Sequence, residues 1–317
     1  MTIDQVRAAY DEDERRQPFE PTARWITAGG YAAFWSPVYR SGWCLQAPPN
    51  DTATVAALRD AVKHAVLNGA RTERADGGPA STDDPSEFEW KCFSWDGPGA
   101  WYADAVLQTA GFLPRDEEAV VYADVAAIAR GTFAVSDEAA TVVASDTPRE
   151  RITVRVATED NPDATAILAD ADAVNSAVWD DSTRPSMVAD GYWSQTGASN
   201  GDSSGGSPPT DPLSAAARPH LSIHVAYFDG RPVSYGRFQV TPGSRFGGLW
   251  GGATVADARG RGCYRALVGS RAAEARARGL TWLMVDANPE TSYPILRRLG
   301  FDLLGYTRPY VLPFGPA

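Results

Sequence analysis

The segment that most constrains this chain is Gly251 to Arg265, GGATVADARGRGCYR. It reads as a strand that enters an Arg-Gly-rich turn and passes directly into a helix. Glycine reaches backbone dihedrals closed to other residues and lets the main chain approach a ligand closely. The first N–H groups of the helix, reinforced by its dipole, then form an anion site. Such a turn selects a phosphate or diphosphate, and Arg259, Arg261 and Arg265 add positive charge. A strand fed through a turn into a helix also points to a layered α/β architecture.

Several phosphate-binding patterns compete for this turn. A Walker A loop ends in Gly-Lys-Ser/Thr, and no lysine is present here. A dinucleotide fingerprint begun at Gly260 meets Arg265 where Gly or Ala is required, and Asp286 only loosely mimics the ribose-binding acid. A surface turn that binds nothing is the plainest alternative.

The rest of the chain supplies matching elements. Alternation marks Ile152–Val156 as a strand, and Ala164 to Trp179 carries a helical apolar stripe. Ile223–Phe228 and Pro232–Val240 form a hairpin about Asp229-Gly230. Leu249–Val255 is a strand, Cys263–Arg278 a helix closed by Gly279, Leu280–Ala287 a buried strand, and Ser292–Leu299 a short helix closed by Gly300. Phe301–Leu312 gives the last strand or strands. The first half repeats part of this order: Glu89–Phe93 as strand, Trp101–Ala110 as helix, then Gly111-Phe112. A length of 317 residues suits two domains. The expected boundary lies near Thr147-Pro148, giving domains 1–148 and 149–317. Ser194–Pro219, rich in Gly, Ser, Pro and Asp, is expected to be a flexible insertion, and Arg71–Ser86 an exposed loop.

Composition removes whole function classes. The net charge of −11 argues against a nucleic-acid backbone interface. No window approaches a membrane span, and the charged N-terminus lacks the apolar run of a signal peptide. Cys44, Cys92 and Cys263 form neither a disulfide framework nor a zinc site, so the expected compartment is the cytoplasm. His220 and His224 flank a strand without a third ligand, so no metal is expected. The sequence carries no signal for oligomeric state.

Together, Arg259-x-x-Gly262-x-Tyr264 between strand and helix, the order of elements, and Leu299-Gly300-Phe301 resemble the GNAT superfamily of N-acetyltransferases. The resemblance covers about Ile152 to Leu312. Glu89-Trp90-Lys91, Asp96-Gly97-Pro98, Gly111-Phe112-Leu113-Pro114 and Glu117-Glu118-Ala119 resemble the N-terminal part of two-domain bacterial members. That half lacks a glycine turn ahead of its helix Thr54–Leu67, so it resembles a degenerate unit without its own cofactor. The implied fold is a tandem of GNAT-like α/β units, each a mixed central sheet flanked by helices, with the C-terminal unit complete.

The resemblance implies acetyl-CoA as cosubstrate and a small-molecule primary amine as acceptor, joined by direct attack. A cofactor-binding regulatory protein without catalysis is the alternative. In the family the fourth and fifth strands splay and the pantetheine arm pairs with the fourth. That maps onto Gly252, Ala253, Thr254 and Val255, and the diphosphate onto Arg259, Gly260, Arg261, Gly262, Cys263 and Tyr264. The family's proton-donating Tyr would fall at Leu296; Tyr293, Tyr264, Tyr306 and Tyr310 are the candidates to replace it. The base stays unassigned, with Asp286 and Asp180-Asp181 expected to be solvated or capping carboxylates. Cys263 is expected to pack, and Trp250 to wall an apolar pocket.

Overall fold

The computed structural model describes residues 1–16, 23–36, 41–72, 86–97, 103–132, 134–136, 141–143, 152–179 and 220–314. The expected boundary near Thr147-Pro148, the insertion Ser194–Pro219, Asp180-Asp181 and most of the loop Arg71–Ser86 lie outside them. Contacts divide the chain into two compact units. The first holds Met1–Val120, Asp286–Tyr293 and Leu303–Ala317; the second holds Val121–Val285 and Pro294–Asp302.

The first unit opens with helix α1 (Ile3–Asp13), started by a capping box between Thr2 and Gln5. Strands β1 (Arg24–Ala28), β2 (Tyr31–Ser36) and β3 (Ser41–Cys44) form an antiparallel run. Helix α2 (Thr52–Thr72) then crosses to β4 (Ser86–Phe93), which pairs parallel to β3. Helix α3 (Asp104–Thr109) and β5 (Leu113–Pro114) follow. The core gathers Leu58 and Val62 of α2, Phe88 and Trp90 of β4, and Leu107 and Phe112. The Trp90 indole donates to Gln46 O at 2.9 Å, which satisfies its one donor inside the core.

Strand β6 (Glu118–Asp124) contributes residues to both units. In the second unit, helix α4 (Val125–Thr132) and the hairpin β7 (Ala134–Ser136) and β8 (Thr141–Val143) lead to β9 (Ile152–Ala157). Helix α5 (Ala164–Val178) precedes β10 (His220–Phe228) and β11 (Arg231–Val240). The Asp229-Gly230 turn between them takes positive φ at both residues, as a tight hairpin requires. Next come β12 (Phe246–Thr254), helix α6 (Cys263–Ala277) and β13 (Trp282–Ala287). The order across this sheet is β9-β10-β11-β12-β13, antiparallel except for the β12–β13 pair. Tyr227 and Tyr235 donate to Asp170 and Asn175 of α5 at 2.6 and 2.7 Å and so fasten that helix to the sheet.

Helix α7 (Ser292–Arg298) and β14 (Asp302–Phe314) complete the chain. β14 pairs antiparallel with β4 over Thr307–Phe314, and Thr307 Oγ1 donates to Cys92 O at 2.8 Å. The last strand therefore serves the first unit's sheet. The expected α/β tandem is present in both units as a parallel β-α-β crossover beside antiparallel strands.

Candidate active site

The site grows from the way β12 leaves its neighbour. β12 has nine residues, but only Phe246–Gly248 pair with β13, opposite Trp282–Met284. On its other edge β12 stays bonded to β11 out to Ser234–Thr254. A bulge there sets Gly251 and Gly252 against the single residue Gly236, with Gly251 at φ 59°. Ser234 fixes the strand's end, donating to Ala253 O at 2.7 Å and lying 2.7 Å from Thr254 Oγ1. From Leu249 to Thr254, then, the edge of β12 toward β13 is released while the strand itself is held firmly. The fork agrees with the splay implied by the family resemblance.

A 3₁₀ turn (Ala256–Ala258) carries the chain from β12 to the glycines. Gly260 and Gly262 have φ of 76° and 90°, the left-handed region that penalises any Cβ. Gly262 is the N-cap of α6, and no side chain caps the helix. The first intrahelical bond runs from Ala266 N to Gly262 O, so the N–H groups of the first turn point out of the helix end. The first turn holds no acidic residue. The start of α6 thus follows two left-handed glycines and has neither a capping side chain nor an acidic residue in its first turn.

The arginines take separate parts. Arg259 Nε donates to Thr254 O at 3.1 Å and ties the loop to the end of β12. The Arg261 guanidinium lies 4.8 Å from the Phe228 ring, and Arg265 is exposed. Cys263 is buried at 1% exposure and packs in the second unit's core.

Tyr264 stands beneath the bulge. A Cβ on Gly252 would lie 3.1 Å from its ring, so the glycine admits the close approach. Burial pushes the Tyr264 phenol up, and the Arg271 guanidinium, 6.0 Å from the ring centroid, pulls against that shift. Arg271 is itself buried, with Nε donating to Leu267 O at 3.1 Å and Nη2 without a hydrogen-bond partner. Burial pulls its own pKa down.

The other candidates are placed elsewhere. Leu296 is fully buried, a core side chain at the position where the family's acid would stand. Tyr293 heads α7, half-buried, with its N–H on Asn288 O at 3.0 Å, and belongs to the first unit. Tyr306 is half-buried on β14, and Tyr310 is buried there with its hydroxyl on Asp104, both in the first unit. Burial pushes the Tyr310 phenol up, assisted by that carboxylate.

Asp286 corrects the expectation of a solvated or capping carboxylate. Its side chain is 5% exposed and Oδ2 accepts from Lys91 Nζ at 2.6 Å. Lys91 also meets Glu118 at 3.0 Å. Burial alone would lower the lysine's pKa, but Asp286, Glu89 and Glu118 raise it well above the usual value.

His220 and His224 also differ from the reading as strand-flanking residues. Both lie within β10 and converge on Glu274 of α6. His224 Nε2 is 2.9 Å from Glu274 Oε2, and its Nδ1 is 2.8 Å from Ser270 Oγ. Ser222 Oγ donates to Glu274 Oε2 at 2.7 Å. Period-two spacing on β10 and the i, i+4 pair Ser270–Glu274 were the available signals. Among the described residues no group of three or more His, Cys, Asp or Glu side chains is arranged to hold a metal ion.

Residues 189–301 match the model of the acetyltransferase (GNAT) family. The chain is similar in fold to a GCN5-related N-acetyltransferase from Sphaerobacter thermophilus, at 14% identity and TM-score 0.54, over 99% of this chain and 86% of that one. A functionally unknown conserved protein from Staphylococcus epidermidis ATCC 12228 aligns at 11% identity and TM-score 0.53, over 98% and 97%. A GCN5-related N-acetyltransferase from Kribbella flavida aligns at 14% identity and TM-score 0.50, over 97% and 94%. At these identities the likeness is one of fold. No curated protein matches the chain.

Proposed function

We propose that the second unit moves an acetyl group from acetyl-CoA to a primary amine of a small molecule, a reading supported by the match of residues 189–301 to the model of the acetyltransferase (GNAT) family. The observation that carries this reading is the uncapped start of α6 behind Gly260 and Gly262, at the end of a strand whose edge is released from Leu249 onward. The N–H groups of Gly262 and Tyr264 would hold the diphosphate, a double negative charge suited to the positive end of a helix. The freed edge at Gly252–Thr254 would take the amides of the pantetheine arm as a strand takes a neighbour. The residues fit such a guest: Gly252 presents no side chain, and Arg259 and Arg261 lean away from the turn onto Thr254 O and Phe228.

In this reading the acceptor's free amine attacks the thioester carbonyl. A C–N bond forms, the C–S bond breaks, the thiolate leaves, and the proton shed by the nitrogen passes to water. Positioning by the two strands supplies most of the acceleration. Tyr264, whose ring lies under Gly252 near the diphosphate end of the arm, positions the arm in this reading, and the thiolate takes its proton from water. A second reading, a binding protein without catalysis, draws on the buried Leu296 at the family's acid position. Release of free CoA with a panel of primary amines separates the two. For the enzyme, at least one amine releases CoA above the rate of hydrolysis. Binding of acetyl-CoA without release under every amine supports the silent protein.

A further inference from the structure

The fork between β12 and β13 is closed on both faces by side chains. Gly248, opposite Met284, is the last paired residue of β12. Two residues on, Trp250 projects to the same face as Gly248. Its indole folds back over that glycine: a Cβ on Gly248 would lie 2.4 Å from Trp250 Nε1 and 2.9 Å from Cε2. Met284, on that face, is buried. The opposite face is filled as well. A Cβ on Gly247 would lie 2.4 Å from the Phe238 ring and 3.2 Å from Leu280 Cδ1, and Leu249 and Leu283 are buried. Trp250 itself is only half-buried, so part of the indole covers Gly248 while the rest stays open to solvent.

We propose that Trp250 sets the size of the acyl group, restricting the donor to acetyl. The inference rests on the cofactor reading above. With the diphosphate at Gly262, the pantetheine arm runs back along the released edge, and its acyl end faces the fork. From Thr254 to Gly248 this edge measures about 20 Å at 3.3 Å per residue. An acetyl group ends short of the indole. Each further methylene runs into Trp250 on one face or into the packed Phe238, Leu280 and Leu283 on the other.

The test compares affinities for free CoA, acetyl-CoA, butyryl-CoA and hexanoyl-CoA in the full-length protein and in Trp250→Ala and Trp250→Phe. Wild type should favour acetyl-CoA over butyryl-CoA by at least about tenfold, the discrimination a tight apolar pocket gives per methylene. Trp250→Ala should bring the two within about twofold of each other, with Trp250→Phe between. The affinity ratio cancels any general weakening of the variant, and its thermal unfolding midpoint checks that it folds. Equal binding of acetyl-CoA and butyryl-CoA by wild type, or an unchanged ratio in Trp250→Ala, overturns the proposal while the cofactor reading stands. Failure of wild type to bind even free CoA overturns the cofactor reading, and the acyl limit with it.

Discussion

The two parallel crossovers, β3-α2-β4 and β12-α6-β13, share a plan and differ at the start of the helix. Each follows an antiparallel strand and is followed by a short helix that ends in Gly-Phe. Even the helix stops agree. Gly111 and Gly300 have φ of 94° and 95°, and Phe112 N and Phe301 N return to the carbonyls of Leu107 and Leu296 at 3.0 and 3.1 Å. This is the Schellman pattern twice over, with the phenylalanine buried each time. Ahead of the crossover helices the agreement stops. In the first unit Asp51 accepts from Thr54 N at 2.7 Å, so α2 carries its own anion. That bond holds the Asp51 carboxyl below its ordinary pKa. In the second unit Gly262 stands there and α6 carries none. One side chain thus separates a helix start that carries its own anion from one that carries none.

The first unit closes its charges internally at a second place, and breaking that closure should produce the largest effect. Lys91→Met would leave Asp286 buried and unpaired beside Glu118, at a cost of about 3–5 kcal/mol in unfolding free energy. Chemical denaturation measures it, and a loss below about 1 kcal/mol would mean that water or a proton already satisfies the carboxylates. Next in size, Gly262→Asp gives the second turn the anion that the first already has. Gly262→Ala suffers the same positive-φ strain without the charge. Acetyl-CoA should bind the aspartate variant at least about tenfold more weakly than the alanine variant, through repulsion of the diphosphate. Equal weakening would reduce the turn to a matter of shape.

Acid sensitivity should separate the helices further, since α6 anchors the Glu274 network. Burial alone would raise the Glu274 carboxyl, but the hydrogen bonds to His220 and His224 bring it well below the usual range. Burial also lowers His224. Both shifts are depressions, so the stability they contribute is present above the unfolded values and lost as pH falls. The loss begins near the ordinary histidine value of about 6.5 and continues through the carboxylate range. Glu274→Gln should flatten the fall in unfolding free energy below about pH 4.5, where the wild-type carboxylate's contribution is lost. A parallel slope would deny the network a role in stability. The smallest effect is at Asp51, which is exposed. Asp51→Ala should lower the unfolding midpoint slightly, and Asp51→Asn should restore most of it, because asparagine also caps.

Much of the second unit was legible because its signals are local. Alternation and the Asp229-Gly230 turn identify β10 and β11, and Gly260 and Gly262 open α6 as the sequence implies. What escaped depends on distant partners. The apolar alternation of Asp302–Phe314 marks a strand, but nothing in it specifies β4 as its neighbour. Asp286 reads as an ordinary strand-end carboxylate until Lys91, 195 residues away, is placed against it. Arg271 is buried against Gly236, whose Cβ would lie 2.8 Å from Nη1, and that partner on another element is invisible in the helix's own sequence. The fork at Gly248 is likewise a matter of register between two strands.

The central claim, that α6 begins in an open diphosphate site, is tested most directly by thermal unfolding with and without acetyl-CoA, on wild type and on Gly262→Glu. At about 100 times its dissociation constant the ligand should add about 2.7 kcal/mol to wild type, and the variant should fold but gain nothing. A folded wild type that shows no shift, or a variant stabilised as much as wild type, would contradict the claim.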